Sequence, residues 1–574
     1  MFRVDSIAFD SAFRVHELSS KHKVQSSIQL ATGIYLHPST LAKRVHFLLL
    51  LAFIAFYFYG LGHLPLVGPD EPRYAQVGRE MFLRGDWITP TLGGHTWFEK
   101  PALLYWMEIA AFHVFGVHDW SARLGPALCG VLTVVAIWLL TRQAEFGAKD
   151  DQISRGHVTA LIVASCLGML VFSRGASFDI VITMTTTWAL SCFLLSELGE
   201  DLRRQTLMRV GFYFFVGLSL LAKGLVGIVI PAGVIGFYYL LRREWPRRAL
   251  WVSLLWGAPL AILVSAVWYG PVIYKHGWVF VNEFFVQHHF ARYLSNKYHH
   301  PQPFYFYPAI LLMLTLPWTS FLIDAFIRAK NWNWRGPQNS SRLLVFSFGW
   351  ILFPILFFSF SSSKLPGYIL PVLPAALILI SSSVHRLQEK QDVRWPMSVT
   401  GLLWLLVGVG GLFYGIRVAH LSVLCTSLAA APFIIAGAFS IVSRRIDWAI
   451  SAIACSVLLG IVVVLNCAAL DLSRRESTRD LLRLADSRGY SGLRVLALPG
   501  DDRSAEFYAS GRVIYGQSGE VQPVHDVPEI VAEARKRNER LLAFVAIQDL
   551  YLYRSRPGVE VIGDNGKLAL VCLY

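Results

Sequence analysis

Apolar runs close to twenty residues long recur through most of this chain, and the short loops between them alternate in charge. A run of that length, wound as a helix, crosses about 30 Å of hydrocarbon. Only helices and closed barrels cross a bilayer with every backbone group satisfied. Of 574 residues, 55% are hydrophobic and 16% charged, too little polar surface for a soluble chain of this size. The formal net charge is +14. In a soluble protein that excess would point to nucleic acid. Here the Lys and Arg residues occupy short loops, as cytoplasmic loops of membrane proteins do, and no nucleic-acid partner is expected.

Lys43 and Arg44 precede the first span, at about 45–66, and place its start in the cytoplasm. Further spans follow at about 124–140, 158–172, 180–195, 210–221, 225–241 and 250–269, then an eighth ending before Arg328. The remainder lie at about 343–360, up to His385, at 402–414, at 421–441, and up to about 470. Basic clusters fall at alternate loops, which fixes the orientation. The count is about thirteen, an odd number, so the chain after Asp471 lies outside.

The expected fold class is therefore a polytopic α-helical membrane protein with a small C-terminal α/β periplasmic domain. Residues 1–40 read as a cytoplasmic extension without the apolar core of a signal peptide, and no function is assigned to them. Residues 41–471 form the transmembrane domain, with outside loops at 67–122 and 270–304. Residues 472–574 form the α/β domain, with strands at 493–498 and 542–547, a helix over 527–541, and a hairpin of 559–562 with 567–574. Of seven cysteines, six lie in apolar runs and Cys572 stands near the C-terminus. No CxxC pair or metal spacing occurs, and no structural disulfide is predicted.

Placed by loop charge alone, a set of polar residues falls on one membrane face. Asp70, Glu71, Arg73, Tyr74, Glu99 and Lys100 belong to the first outside loop, and Asp179 to the start of the fourth span. Lys223 occupies a short outside turn, His288, His289 and Arg292 the long outside loop, and Lys364 and Tyr368 the next. Charges this close to a bilayer are costly and mark functional sites. In the first loop, Pro72 suits the start of a helix, with Asp70 or Glu71 as cap. Tyr74, Val77 and Met81 then share one face, which predicts an amphipathic helix at the membrane surface. A cap needs one carboxylate, and the second is left for another role. Lysines at headgroup level bind phosphate as point charges, and arginine binds it bidentately. Lone lysines there also snorkel, which is the competing reading of Lys223 and Lys364.

The stretch Asp70-Glu-Pro-Arg-Tyr-Ala75, followed by Arg79-Glu-Met81, Gly85-Asp-Trp87 and Phe98-Glu-Lys-Pro101, resembles the first periplasmic loop of the aminoarabinose (lipid A) transferase family. So does Lys364-Leu-Pro-Gly-Tyr-Ile-Leu-Pro371. That family belongs to the GT-C-type membrane glycosyltransferases and is related to protein O-mannosyltransferases. The resemblance implies a polyprenyl-phosphate-linked sugar as donor and a lipid or glycan acceptor, with membrane lipids around both. On that basis Asp70 and Asp179 are the candidate catalytic carboxylates. Lys100, Arg292, Arg73, Lys364 and Tyr368 are the candidates for holding the donor phosphate, with Glu71, Tyr74, Glu99 and His288 in support. No cofactor is required by the sequence. A divalent cation at Glu99 with a histidine of the long outside loop stays open. One displacement at the anomeric carbon implies inversion. A transporter or flippase of lipid-linked sugars, a protein O-mannosyltransferase-like enzyme and a structural scaffold are the competing readings. Charges gathered at one face, with no clear internal repeat, favour the transferase over the transporter.

Overall fold

The computed structural model describes residues 38–144, 149–291, 302–390, 394–497, 503–516 and 539–574 apart from residue 555, with residues 521, 530, 532 and 536 between. The expected extension 1–40 lies almost wholly outside them, and so does most of the helix expected over 527–541.

Ten helices among the described residues are long and apolar enough to cross a membrane, and the bent pair Arg155–Ser165 and Leu167–Ser173 makes eleven. Two further expected spans are shorter than these. Val226–Arg242 has 17 residues, at the lower limit of what crosses a bilayer. The segment expected as the eighth span is divided into Phe306–Leu314 and Thr319–Arg328 around Pro317. The short spans expected around Lys223 form a helical hairpin, Leu202–Lys223 and Val226–Arg242, turned at Gly224 with φ 65°. A second correction concerns the loop expected at 270–304. The helix Arg248–Val281 runs on past residue 269, broken at Gly277 (φ 55°), and continues as a π-helix over Asn282–Ala291. The run stays rich in apolar and aromatic residues there, so the helix resumes after the break at Gly277 where the polar loop was expected.

The first outside loop is folded rather than irregular. It holds the helix Glu71–Arg84, a two-stranded hairpin of β1 (Thr91–Leu92) with β2 (His95–Thr96), and the helix Leu103–Phe115. The first of these buries Tyr74, Val77 and Met81, the face that their spacing predicts, and ends at Gly85 in the left-handed conformation (φ 62°). The C-terminal domain carries a four-stranded sheet in the order β3 (Arg494–Leu496), β4 (Leu541–Ala546), β6 (Leu568–Leu573), β5 (Val559–Asp564). β3 pairs parallel to β4, and β6 pairs antiparallel to both β4 and β5. Its β4 is buried along nearly its whole length, as a central strand covered on both faces is.

No disulfide was predicted, yet Cys425 and Cys467 form one, with Cα atoms 5.9 Å apart. Their separation of 42 residues hides the pairing in the sequence. The chain joins them by packing Val423–Val442 against the last span, at the end that loop charge places outside.

The first loop is bound to the spans by a buried ion pair. Arg123, near the start of the span Asp119–Ala144, donates Nε and Nη2 to Glu71 at 2.6 and 2.7 Å. It also donates to the carbonyls of Leu61, Leu64 and Pro65. Glu71 further accepts from the backbone N–H groups of Val67 and Ala176. The side chains are 6% and 14% exposed. Removing one partner of such a pair leaves a buried charge, so Arg123→Met is expected to cost about 3–5 kcal/mol, read as a lower melting temperature in detergent. Adding Glu71→Gln should recover part of the loss; the three carbonyls account for the remainder.

Glu108 sits on the helix Leu103–Phe115, 13 residues long and too short to span. Both its carboxyl oxygens are buried without a hydrogen-bond partner. Burial, with the Glu71 charge nearby, pushes its pKa well above the ordinary value. The folded protein therefore keeps this proton where the unfolded chain releases it, and Glu108 weakens the fold progressively as pH rises above the unfolded value. Melting temperatures of wild type and Glu108→Gln should separate in favour of the variant between pH 5 and pH 8. A gap that is constant with pH would contradict this.

Candidate functional site

The site residues converge because several separate segments meet at one place. Asp70 takes the cap position of Glu71–Arg84, but its side chain makes no capping bond. It is 53% exposed and pairs instead with Arg73 one turn on. Arg73 lies 3.7 Å from Glu99 and has its guanidinium over the rings of Tyr74 and Trp97, each at 5.3 Å. Burial alone would lower the pKa of Arg73; Glu99, Tyr74 and Asp70 outweigh it and the net shift is upward. Lys100 donates to Glu99 at 2.8 Å. Tyr74 is buried edge-to-face against Phe178, with ring centres 4.9 Å apart, and so ties the loop helix to the start of the next element.

That element is the span Phe178–Leu198, capped by Ser177, with Asp179 in its first turn. Asp179 pairs with Lys223, the last residue of Leu202–Lys223. The Lys223 ammonium also stands over the Tyr368 ring at 5.1 Å. Gly367 presses against the pair: a Cβ there would lie 1.9 Å from Asp179 Oδ2.

A cavity opens among these groups. Its polar wall is Glu99, Lys100, Lys223, His288, Ser361 and Tyr368, and its apolar wall includes Ile182, Val226 and Phe358. His288 arrives on the π-helix Asn282–Ala291. The cavity thus combines two ammonium groups with an apolar wall, the surroundings suited to a phosphate on a hydrocarbon tail.

Of the residues singled out in the sequence, Glu99, Lys100, His288 and Tyr368 line the cavity, and Asp179 reaches it through Lys223. Asp70 is joined to it through Arg73 and Glu99. Glu71 and Tyr74 hold the loop in place. Lys364 is buried and donates to the Ser361 carbonyl at 2.8 Å instead of lining the wall. Arg292 lies outside the described residues, and so does the side chain of His289. Lys223 was left out of the expected site. Its signal was a lone lysine before glycine between two short apolar runs, which snorkelling explains as well. Arg123 gave no signal, being one basic residue before a long apolar run. Among the described residues, no three His, Cys, Asp or Glu side chains are grouped to hold a metal ion; Glu99 and His288 share the cavity wall.

Residues 99–270 match the family described as dolichyl-phosphate-mannose-protein mannosyltransferase. The solved structure of ArnT from Cupriavidus metallidurans bound to undecaprenyl phosphate has the same fold: TM-score 0.75 at 23% identity, over 92% of this chain and 97% of that one. The spans, the folded outer loop and the sheet domain thus share the fold of that membrane protein. The undecaprenyl phosphate-alpha-4-amino-4-deoxy-L-arabinose arabinosyl transferase of Edwardsiella ictaluri is 28% identical over 92% of this chain and 98% of its own length. That of Aeromonas salmonicida is 30% identical over 67% of each chain. The chain belongs to this family of arabinosyl transferases.

The contact at Gly367 gives a test of the site geometry. Gly367→Ala must displace the Asp179 carboxylate and with it Lys223. A displacement of about 1 Å at a reacting centre can cost about 100-fold in rate, so transfer activity should fall by that order with little change in melting temperature.

Proposed function

We propose that this protein is a glycosyltransferase of the bacterial inner membrane that moves 4-amino-4-deoxy-L-arabinose from undecaprenyl phosphate to a phosphate of a lipid A-type glycolipid, on the periplasmic face. The observation that carries the reading is the cavity with Lys100 and Lys223 on its polar wall and an apolar wall beside them, in a chain of this family. The relatives' names state the donor and the sugar. The outward placement follows from loop charge.

The chemistry is one displacement. An oxygen of the acceptor phosphate attacks the anomeric carbon. The bond from that carbon to the donor phosphate oxygen breaks, and the leaving undecaprenyl phosphate keeps the electron pair. Charge grows on the leaving phosphate, where Lys100 and Lys223 stabilise it. Asp179 fixes the Lys223 ammonium, and Tyr368 lies beneath it. An acceptor phosphate is ionised near neutral pH, since its second pKa is about 6, so no general base is needed. Asp70, half in solvent and paired with Arg73, is assigned to orienting the acceptor, and Arg73 to the donor side. Inversion at the anomeric carbon follows. Arg292 keeps its role as a phosphate ligand in this proposal, and a divalent cation beside Glu99 and His288 is not required by the scheme.

The test is transfer by purified protein from undecaprenyl phosphate-aminoarabinose to lipid A. Removing one preorganised donor typically costs 100- to 1,000-fold, so Lys100→Ala and Lys223→Ala should each lose about that much in kcat. Asp70→Asn should raise the acceptor KM more than it lowers kcat. Full activity in all three variants would sink the assignment. Flipping of the lipid-linked sugar without transfer would favour the transporter.

A further inference from the structure

A second polar pocket lies where the loop helix meets the C-terminal domain, apart from the residues of the cavity. Arg79 enters it from Glu71–Arg84, and His118, Asp119 and Trp120 from the outer start of the span Asp119–Ala144. Arg479 and Arg483 come from the helix Arg479–Ser487 of the C-terminal domain. Three guanidinium groups thus meet two carboxylates: Asp119 holds Arg479 at 2.9 Å, and Asp480 stands 3.4 Å from the same arginine. Arg79 donates one Nη to the Phe507 carbonyl, while its buried Nε has no partner. Arg483 is 69% exposed, and its ion pair with Asp480 is loose, at 3.9 Å. The excess positive charge suits an anion with several acceptor oxygens.

The surroundings fix the level of the pocket. Gly62, just past the span that begins at Pro38, also lines it, so two spans end there. Trp120 stacks with His118 and lies 5.0 Å from the exposed Phe115, next to the exposed Val114. Aromatic and apolar side chains beside a polar pocket at the ends of spans mark the headgroup layer. On one helix, Arg79 stands eight residues after Glu71, about 12 Å along the axis from the Asp70 end.

We propose that this pocket is a second phosphate site, which holds a phosphate of the glycolipid acceptor other than the one that receives the sugar. The inference rests on the acceptor reading given above. The donor has a single phosphate, assigned to the cavity, so it has none for this place. An acceptor phosphorylated at both ends of its saccharide reaches from the Asp70 end of the helix to Arg79.

The experiment uses the full chain in nanodiscs, with undecaprenyl phosphate-aminoarabinose as donor and acceptors carrying two phosphates or only the one to be modified. One arginine near a membrane surface contributes about fivefold in affinity, so Arg483→Ala should raise the KM of the doubly phosphorylated acceptor about fivefold, and Arg483→Glu more. The kcat and the donor KM should stay unchanged. With the singly phosphorylated acceptor, the wild type should already show the raised KM and the variants should add nothing. An unchanged KM for the doubly phosphorylated acceptor overturns the inference. So does an equal rise with both acceptors, which is a general surface-charge effect. If no phosphorylated glycolipid accepts sugar, the functional reading fails separately. The pocket is then judged by equilibrium binding of the doubly phosphorylated glycolipid, and binding unaltered by Arg483→Glu, or equal binding of phosphatidylglycerol lost in the same way, overturns it.

Discussion

The buried pair of Arg123 and Glu71 is the constraint on which the outer face depends. One guanidinium collects the carbonyls that end the first span, the carboxylate that begins the loop helix and, through that carboxylate, the N–H of Ala176 before the fourth expected span. These segments are remote in sequence, and the pair adds directed polar contacts to the packing of Tyr74 on Phe178. The pair is costly to desolvate, so its value is in geometry more than in net stability. With it in place, Asp70 and Arg73 face the same region as Asp179 and Lys223.

Glu71 and Asp70 are adjacent in the chain and opposite in circumstance. Glu71 is bound by Arg123 on the inner side of the helix start. Asp70 projects at the cap position and is half exposed. The same helix that buries Tyr74, Val77 and Met81 therefore separates a structural carboxylate from a solvent-facing one. The family and the fold name the reaction class; this division assigns the two acidic residues different work within it.

Much of this was legible in the sequence because membrane spans and amphipathic helices write their periods directly. The loop helix buries the three residues that its spacing selects, and the hairpin of β5 and β6 turns where Asp564 to Gly566 permit it. What stayed hidden depends on pairings between distant segments. Arg123 finds Glu71 across 52 residues, and Cys425 finds Cys467 across 42. Lys223 looked like any snorkelling lysine until the fold brought Asp179 to it. The count of spans is blurred for a different reason: hydropathy marks an apolar segment but not whether a proline divides it, as Pro317 divides 306–328.

Charged residues in and beside the cavity come in pairs: Asp70 with Arg73, Glu99 with Lys100, Asp179 with Lys223. These six groups sum to zero. A donor phosphodiester brings one negative charge to them, whereas the undecaprenyl phosphate left after transfer, a monoester, carries close to two. With a sum of zero, net charge favours neither form, so any preference between them rests on how the ammonium groups of Lys100 and Lys223 are aimed.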